Sequence, residues 1–425
     1  TIGRAVWGST SRNSPNPSQA ASAGDTVIVR AGVYSTSQGT GERYDPIYNP
    51  VNDGTANNEI VIIADGRVTL ESDTSGRGEP VIGTYGRNYI TWDGFFIDES
   101  NVHTKADTGP VVIWQSNHVT VQNITVRGKT VNWGDNHNAI RIEYSSNSVV
   151  RNNRLHRNRG GANNYNGSAI MLYDSDNILI EHNEIYDAQG GIFVKGAYGG
   201  TANHHITIRY NLLYDLNVGI THGIVNDAGR QFGAHTYQNI IRDTDFGIVF
   251  IGYNGSSPAN IDVVNNTLHN TQFGFFLKPS TSGYRDITFY NNIISGASVS
   301  IQGEDITDVS NTDFSHNIYY SSGTLARISY TNYNLNGWNS QFNQDTVGTV
   351  TTDPMFVSPS NSNFQLRAGS PANASGIDIL NIRGNGSNAP VNLGAFVTGN
   401  EVIGITSERA ARSIQATTPE PPVLQ

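Results

Sequence analysis

The chain has 425 residues, a formal net charge of −10, 15% charged side chains, 45 glycines and no cysteine. The missing thiols exclude disulfides and thiolate chemistry, and the acidic balance disfavours non-specific binding to nucleic acid or to an anionic membrane surface. No apolar run approaches the ~20 residues of a transmembrane helix, and a surface built from Asn, Ser, Thr and Gly is usual for strand-rich extracellular proteins.

In chain order, residues 1–22 are rich in Ser, Asn and Pro and read as an N-terminal arm. AGDTVIVRAGVY (23–34) reads as the first strand and turn, with Val27 and Val29 alternating. Residues 35–58 are too polar for core and too long for a tight turn, so they read as a loop over one face. EIVIIADGRVTLESD (59–73), NYITWDGFFIDES (88–100) and GPVVIWQSNHVTVQNITVRG (109–128) then read as the first coils.

From residue 139 to 318 one phrase recurs seven times. Asn153, Asn183, Asn211, Asn239, Asn266, Asn292 and Asn317 are separated by 30, 28, 28, 27, 26 and 25 residues. In step with them run Ile140, Ile170, Ile192, Ile220, Ile248, Phe275 and Ile301, most of them preceded by Ala or Gly. Such a repeat predicts a solenoid, whose units bury their apolar faces only by stacking. Gly, Asn and β-branched residues are poor helix formers, which leaves a coil of strands. One coil holds a strand such as GIFVKG (191–196), a second such as NILIEHN (177–183), and a return through EIYDAQG (184–190). Asn at a fixed corner can bond the backbone turn and donate and accept along its own column.

Four insertions, 129–138, 157–168, 197–203 and 226–232, cluster over neighbouring coils, and we read them as the walls of a site held by a rigid stack. Residues 353–396 read as a closing element and 397–425 as a C-terminal linker or tail.

The opening phrase and the closing one, with DPMF (353–356), FQLRAGSPA (364–372) and GAF (394–396) in that order, resemble secreted right-handed parallel β-helix proteins of the pectate-lyase-like superfamily, which includes pectate and alginate lyases. The resemblance implies an all-β, single-domain right-handed parallel β-helix over 23–396, secreted or extracellular, acting on a polysaccharide; a monomer is expected.

Strand alternation turns the repeat into a coordinate system. With Ile192 and Val194 inward, one outward column is Trp114, Glu143, Tyr173, Lys195, Gly223, Ile251 and Lys278. The other is Val112, Arg141, Met171, Phe193, Thr221, Val249 and Phe276. Neighbours in a column lie about 4.8 Å apart. Arg141, Glu143, Tyr173 and Lys195 therefore share one window, a set suited to β-elimination on a uronate polymer. That reaction needs a base (Lys195), a proton donor for the leaving oxygen (Tyr173) and a cation to neutralise the carboxylate. The cation is Arg141 or a Ca²⁺ held by Glu143 with Asp135 or Asp174, since Ca²⁺ takes hard oxygen ligands. Lyases of the superfamily commonly place Lys or Arg on this sheet, often with Ca²⁺. Some follow that Lys with Arg-His-Gly on the next coil, where this chain has Thr221, His222 and Gly223, so the resemblance brings in His222 as a fourth catalytic candidate. Alternation alone turns His222 inward, as a core histidine. Trp114, Trp133, Phe193, Thr221 and Arg230 are the substrate-binding candidates. Two other functions fit the same scaffold: a glycoside hydrolase using paired carboxylates drawn from Glu143, Asp135, Asp174 and Asp227, and a non-catalytic carbohydrate-binding protein.

Overall fold

The computed structural model describes residues 1–35, 42, 44–71, 80–100, 108–128, 137–157, 165–196, 202–224, 230–252, 257–278, 283–384 and 390–406. Successive coils pair in parallel, each contributing to three faces. Ser168–Tyr173 lies between Ile140–Glu143 and the end of Glu184–Gly196 on the first face. Asp176–Glu181 lies between Ser146–Arg151 and Ala202–Arg209 on the second. The start of Glu184–Gly196 lies between Arg154–His156 and Leu212–Ile224 on the third. The return stretch is thus a strand in its own right, bending at its middle into the first face of the next coil.

The interior is the column of large apolar residues expected from the repeat: Ile140, Ile170, Ile192, Ile220, Ile248, Phe275 and Ile301 are fully buried. The glycine before Ile192, Ile220, Ile248 and Phe275 has a steric reason. A Cβ on Gly219 would sit 2.5 Å from the carbonyl oxygen of Gly247, and one on Gly247 2.5 Å from that of Gly274. At these bends the backbones of adjacent coils approach too closely for a side chain.

The asparagine column is a continuous buried ladder. Asn211 donates from its backbone N at 3.1 Å and from Nδ2 at 2.9 Å to Oδ1 of Asn239. Asn239 does the same to Asn266, at 3.1 and 3.0 Å. Each Nδ2 also reaches a main-chain carbonyl across the turn, as from Asn239 to Ile208 at 2.9 Å. Before each ladder residue stands one in the left-handed region, from Asn152, His182, Tyr210 and Gln238 to Asn265, Asn291 and His316. The turn needs positive φ there, and the ladder Asn satisfies the polar groups this bend would otherwise orphan.

Both ends are closed. Instead of a free arm, the first residues form a helix, Ile2–Trp7, capped by Thr1 and ended by Gly8 at φ 69. Ile2, Val6 and Trp7 are buried in the main core, because the first coil has an open apolar end that must be covered. At the other end, helix Leu335–Phe342 sets the fully buried Trp338 edge-on against Phe314 at 5.5 Å.

The closing element does more than cap. Its last described stretch doubles back along the outside of the stack, touching the left-handed residue of one coil after another. Gly394 N donates to Asn291 O at 2.7 Å, and Asn265 Nδ2 to Asn392 O at 2.8 Å. Gln238 Nε2 donates to Ala395 O at 3.2 Å, and Gly404 N to Tyr210 O at 2.7 Å. His182 contacts Gly404 O at 3.3 Å, and Thr406 N donates to Asn152 Oδ1 at 3.1 Å. The stretch expected as tail thus begins as a strap across the coils of residues 152 to 291. No helix among the described residues is long and apolar enough to cross a membrane.

Candidate active site

Register on the first face is as alternation requires: Trp114, Glu143, Tyr173, Lys195 and Gly223 are successive partners, as are Val112, Arg141, Met171, Phe193 and Thr221. Four of these side chains meet in one network. Lys195 Nζ donates to Tyr173 Oη at 2.9 Å and to Asn166 Oδ1 at 2.7 Å. Arg141 Nε donates to Glu143 Oε1, and its Nη1 to Asn138 Oδ1 at 3.1 Å. Asn138 closes the ring by donating from Nδ2 to Asn166 O at 2.8 Å. The Arg141 guanidinium lies 4.6 Å from the Tyr173 ring centre and 5.7 Å from that of Tyr44.

These groups face outward from the stack yet are largely withdrawn from water, with Lys195 7% and Tyr173 8% exposed. That burial sets their chemistry. Loss of water, with a smaller push from the Arg141 charge, lowers the Lys195 pKa to about 8 against the opposing pull of Glu143. Burial raises the Tyr173 phenol to about 12. Burial also opposes the Arg141 charge, but Glu143 and the two tyrosines outweigh it and raise its pKa, so it stays a guanidinium. The site therefore holds a lysine that loses its proton just above neutral pH, touching a phenol that keeps its own, beside a permanent cation.

Other expected site residues fall elsewhere. His222 is fully buried on the inward side, bonded through Nε2 to Thr236 Oγ1 at 2.9 Å and stacked on Phe250. Burial lowers its pKa to about 3, so it is a neutral core residue, not a catalyst. Phe193 and Thr221 are each only 1% exposed, which removes them as sugar-stacking surfaces. The Phe193 ring instead fills the space beside Gly223, where a Cβ would meet it at 2.8 Å. Trp114 does reach the surface of this face, half-buried, with Tyr44 stacked on it at 3.9 Å and Tyr144 edge-on at 5.0 Å. Arg230 opens strand Arg230–Tyr237 of the second face, opposite Ala202, rather than lying in an insertion over the first.

Asp174 is buried at the left-handed turn after Tyr173. Trp133, Asp135 and Asp227 lie outside the described residues, as does most of each insertion. Among the described residues no group of three His, Asp or Glu side chains comes together to hold a metal, and Glu143 is already engaged by Arg141. Of the expected Ca²⁺ ligands only Glu143 and Asp174 are described, and the guanidinium of Arg141 stands beside Glu143.

Asn138, Asn166 and Tyr44 were missed by the sequence reading. The two asparagines end insertions, just before strands of the first face, a position that could have flagged them. Two clefts lie away from this network: one of about 640 Å³ lined by Tyr319, Ser321, Tyr333 and Asn334, the other of about 530 Å³ with His235, Asp262, Asp286 and Asp313. Neither contains a lysine–tyrosine pair.

Comparison with known proteins agrees with the fold. Residues 128–268 match the family described as right handed beta helix region. The solved structure of pectate lyase Pel9A superposes with a TM-score of 0.61 and 16% identity over 91% of this chain and 92% of that one. The chain has the right-handed parallel β-helix fold. Among curated relatives, pectate lyase 2 of Pectobacterium carotovorum is 31% identical over 137 residues, 30% of this chain and 34% of that protein. Pectate lyase C of Dickeya chrysanthemi is 25% identical over 202 residues, 41% of this chain and 51% of that protein. The β-helix thus aligns with a third to a half of the length of these relatives.

Proposed function

We propose that this β-helix is an extracellular polysaccharide lyase that cleaves a uronate-containing polymer by β-elimination. The observation that carries the proposal is the buried Lys195–Tyr173 pair, 2.9 Å apart, with the lysine pKa lowered to about 8 and the phenol held near 12. Neutral Lys195 takes the proton from the carbon next to the uronate carboxylate. The electron pair forms the ring double bond, the glycosidic C–O bond breaks, and Tyr173 gives its proton to the departing oxygen. The resulting ammonium and phenolate are hydrogen-bonded partners, so one transfer between them restores both for the next turnover. Arg141 draws charge onto the substrate carboxylate and so favours the carbanion-like transition state. The pectate lyases among its relatives support a polysaccharide substrate.

The test is ultraviolet absorbance of unsaturated ends during incubation with polygalacturonate, alginate and glycosaminoglycans. We expect absorbance to grow on at least one polymer, to persist with a chelator present, and to fall about 10²-fold or more in Lys195→Ala and Tyr173→Phe, the range typical of losing an acid–base group. Silence across the panel, or new reducing ends without absorbance, would sink the lyase reading.

A further inference from the structure

Beyond Lys195 the first face continues through Thr221, Gly223, Val249 and Ile251 without a charged side chain, then reaches an aromatic cluster. Phe276 lies three strands along from Phe193 in the same column, about 14 Å at the usual strand spacing. Phe246 and Phe273 stand beside it where the third face bends into the first, both half-buried. The three rings are nearly parallel: Phe246 lies 5.2 Å from Phe273 and 5.3 Å from Phe276, and Phe273 lies 5.5 Å from Phe276.

Two cations overlie this tile. Lys278 Nζ is 5.8 Å from the centre of Phe276, and the Arg327 guanidinium 5.5 Å from that of Phe273. Arg327 is held in place by Nε donating to Gln302 Oε1 at 2.6 Å. Unlike Arg127, Arg154, Arg209 and Arg242, each paired with a carboxylate, Arg327 forms no ion pair among the described residues. A half-exposed guanidinium oriented by a neutral amide and backed by an aromatic face keeps its outer N–H groups for an anion.

We propose that the half-buried Phe246 and Phe273, packed on the buried Phe276, form with Arg327 and Lys278 a distal subsite for a uronate residue of the polymer being cleaved, several sugars from the bond that breaks. It rests on the lyase reading above for the identity of the polymer. An aromatic tile takes the C–H face of a pyranose ring, and the cations take its carboxylate. The apolar stretch between the two places lets the intervening sugars pass without a second charged anchor. Occupancy pins the chain in register, so that binding energy gained at the tile orients the sugar at Lys195.

The experiment measures binding of size-defined oligogalacturonates and oligoalginates, dimer to octamer, by calorimetry at a pH well below 8, where Lys195 is protonated and turnover is suppressed. In the native protein, affinity should step up at the length that first spans both places. In Arg327→Gln, the long oligomers should lose about tenfold while dimers bind unchanged. Phe273→Ala should remove the same step, with the melting transition of Arg327→Gln checking that the fold is intact. No length step in the native protein, or an equal loss for dimer and octamer, overturns the subsite. Failure of the lyase reading shows separately, as absence of unsaturated product from the native protein.

Discussion

Lys195 answers two opposing demands. Burial makes it a usable base, and the same burial costs stability as long as the amine is charged. Activity should therefore rise with pH as the neutral amine accumulates and level off above about 8, the value to which burial and Arg141 lower it, while Tyr173 near 12 keeps its proton throughout. A plateau already reached at pH 6 would contradict the assignment. The stability side has a definite sign. Between about 8 and the ~10.4 of an unfolded lysine, the unfolded chain holds a proton that the folded one lacks, so the Lys195 contribution to stability increases with pH across that window. In Lys195→Met this contribution disappears, which denaturant titrations at pH 8 and about 10 would show as a smaller gain than in the native protein. At this scale the sequence was readable wherever parity decides the matter. It brought Arg141, Glu143, Tyr173 and Lys195 to one window and turned His222 inward. It did not bring in Asn138, Asn166 or Tyr44, which enter from bends and insertion ends where no period relates a residue number to a direction; for the two asparagines only their place at an insertion end was a signal. Nor could it show that Phe193 is covered, since alternation tells which way a side chain faces and not what lies over it.

The coil is the unit whose sequence was most legible, because each of its features is forced by stacking. The Asn column repeats because every left-handed bend leaves main-chain groups that only a short amide can bridge, and Gly recurs where carbonyls of the next coil come within 2.5 Å of a would-be Cβ. Replacing Asn211 with Leu severs the ladder in the middle: the backbone N and Nδ2 of Asn183 both lose their acceptor, and Asn239 Oδ1 loses the Nδ2 donor while keeping the backbone N of residue 211. We expect a loss of roughly 3 kcal/mol, the sum of buried polar groups left unpaired, read as a lower midpoint in denaturant unfolding. A variant as stable as the native chain would mean that the ladder follows from the turn and does not support it. The return strand was less legible, since a strand that bends midway breaks the alternation by which strands are recognised.

At the scale of the whole molecule, a solenoid is a one-dimensional object in which each coil knows only its neighbours, and such stacks fray from the ends. Two terminal helices close the ends here, and neither was legible, since a short segment that covers an open end carries no repeat of its own. The strap was hidden for a related reason: its partners lie far away in sequence, with Thr406 bonded to Asn152 across 254 positions. Its removal by ending the chain at residue 389 should leave coils that still stack but unfold over a broader range, with a reduced denaturant slope. A transition as sharp as that of the intact chain would show that the strap is passive. The strap also has a direction in time. It binds to a row of turns that exists only once the coils of residues 152 to 291 have been laid down in order, and it comes from a part of the chain made after all of them. It can seat along its full length only on a stack with no coil skipped or out of register, because its partners sit on successive turns.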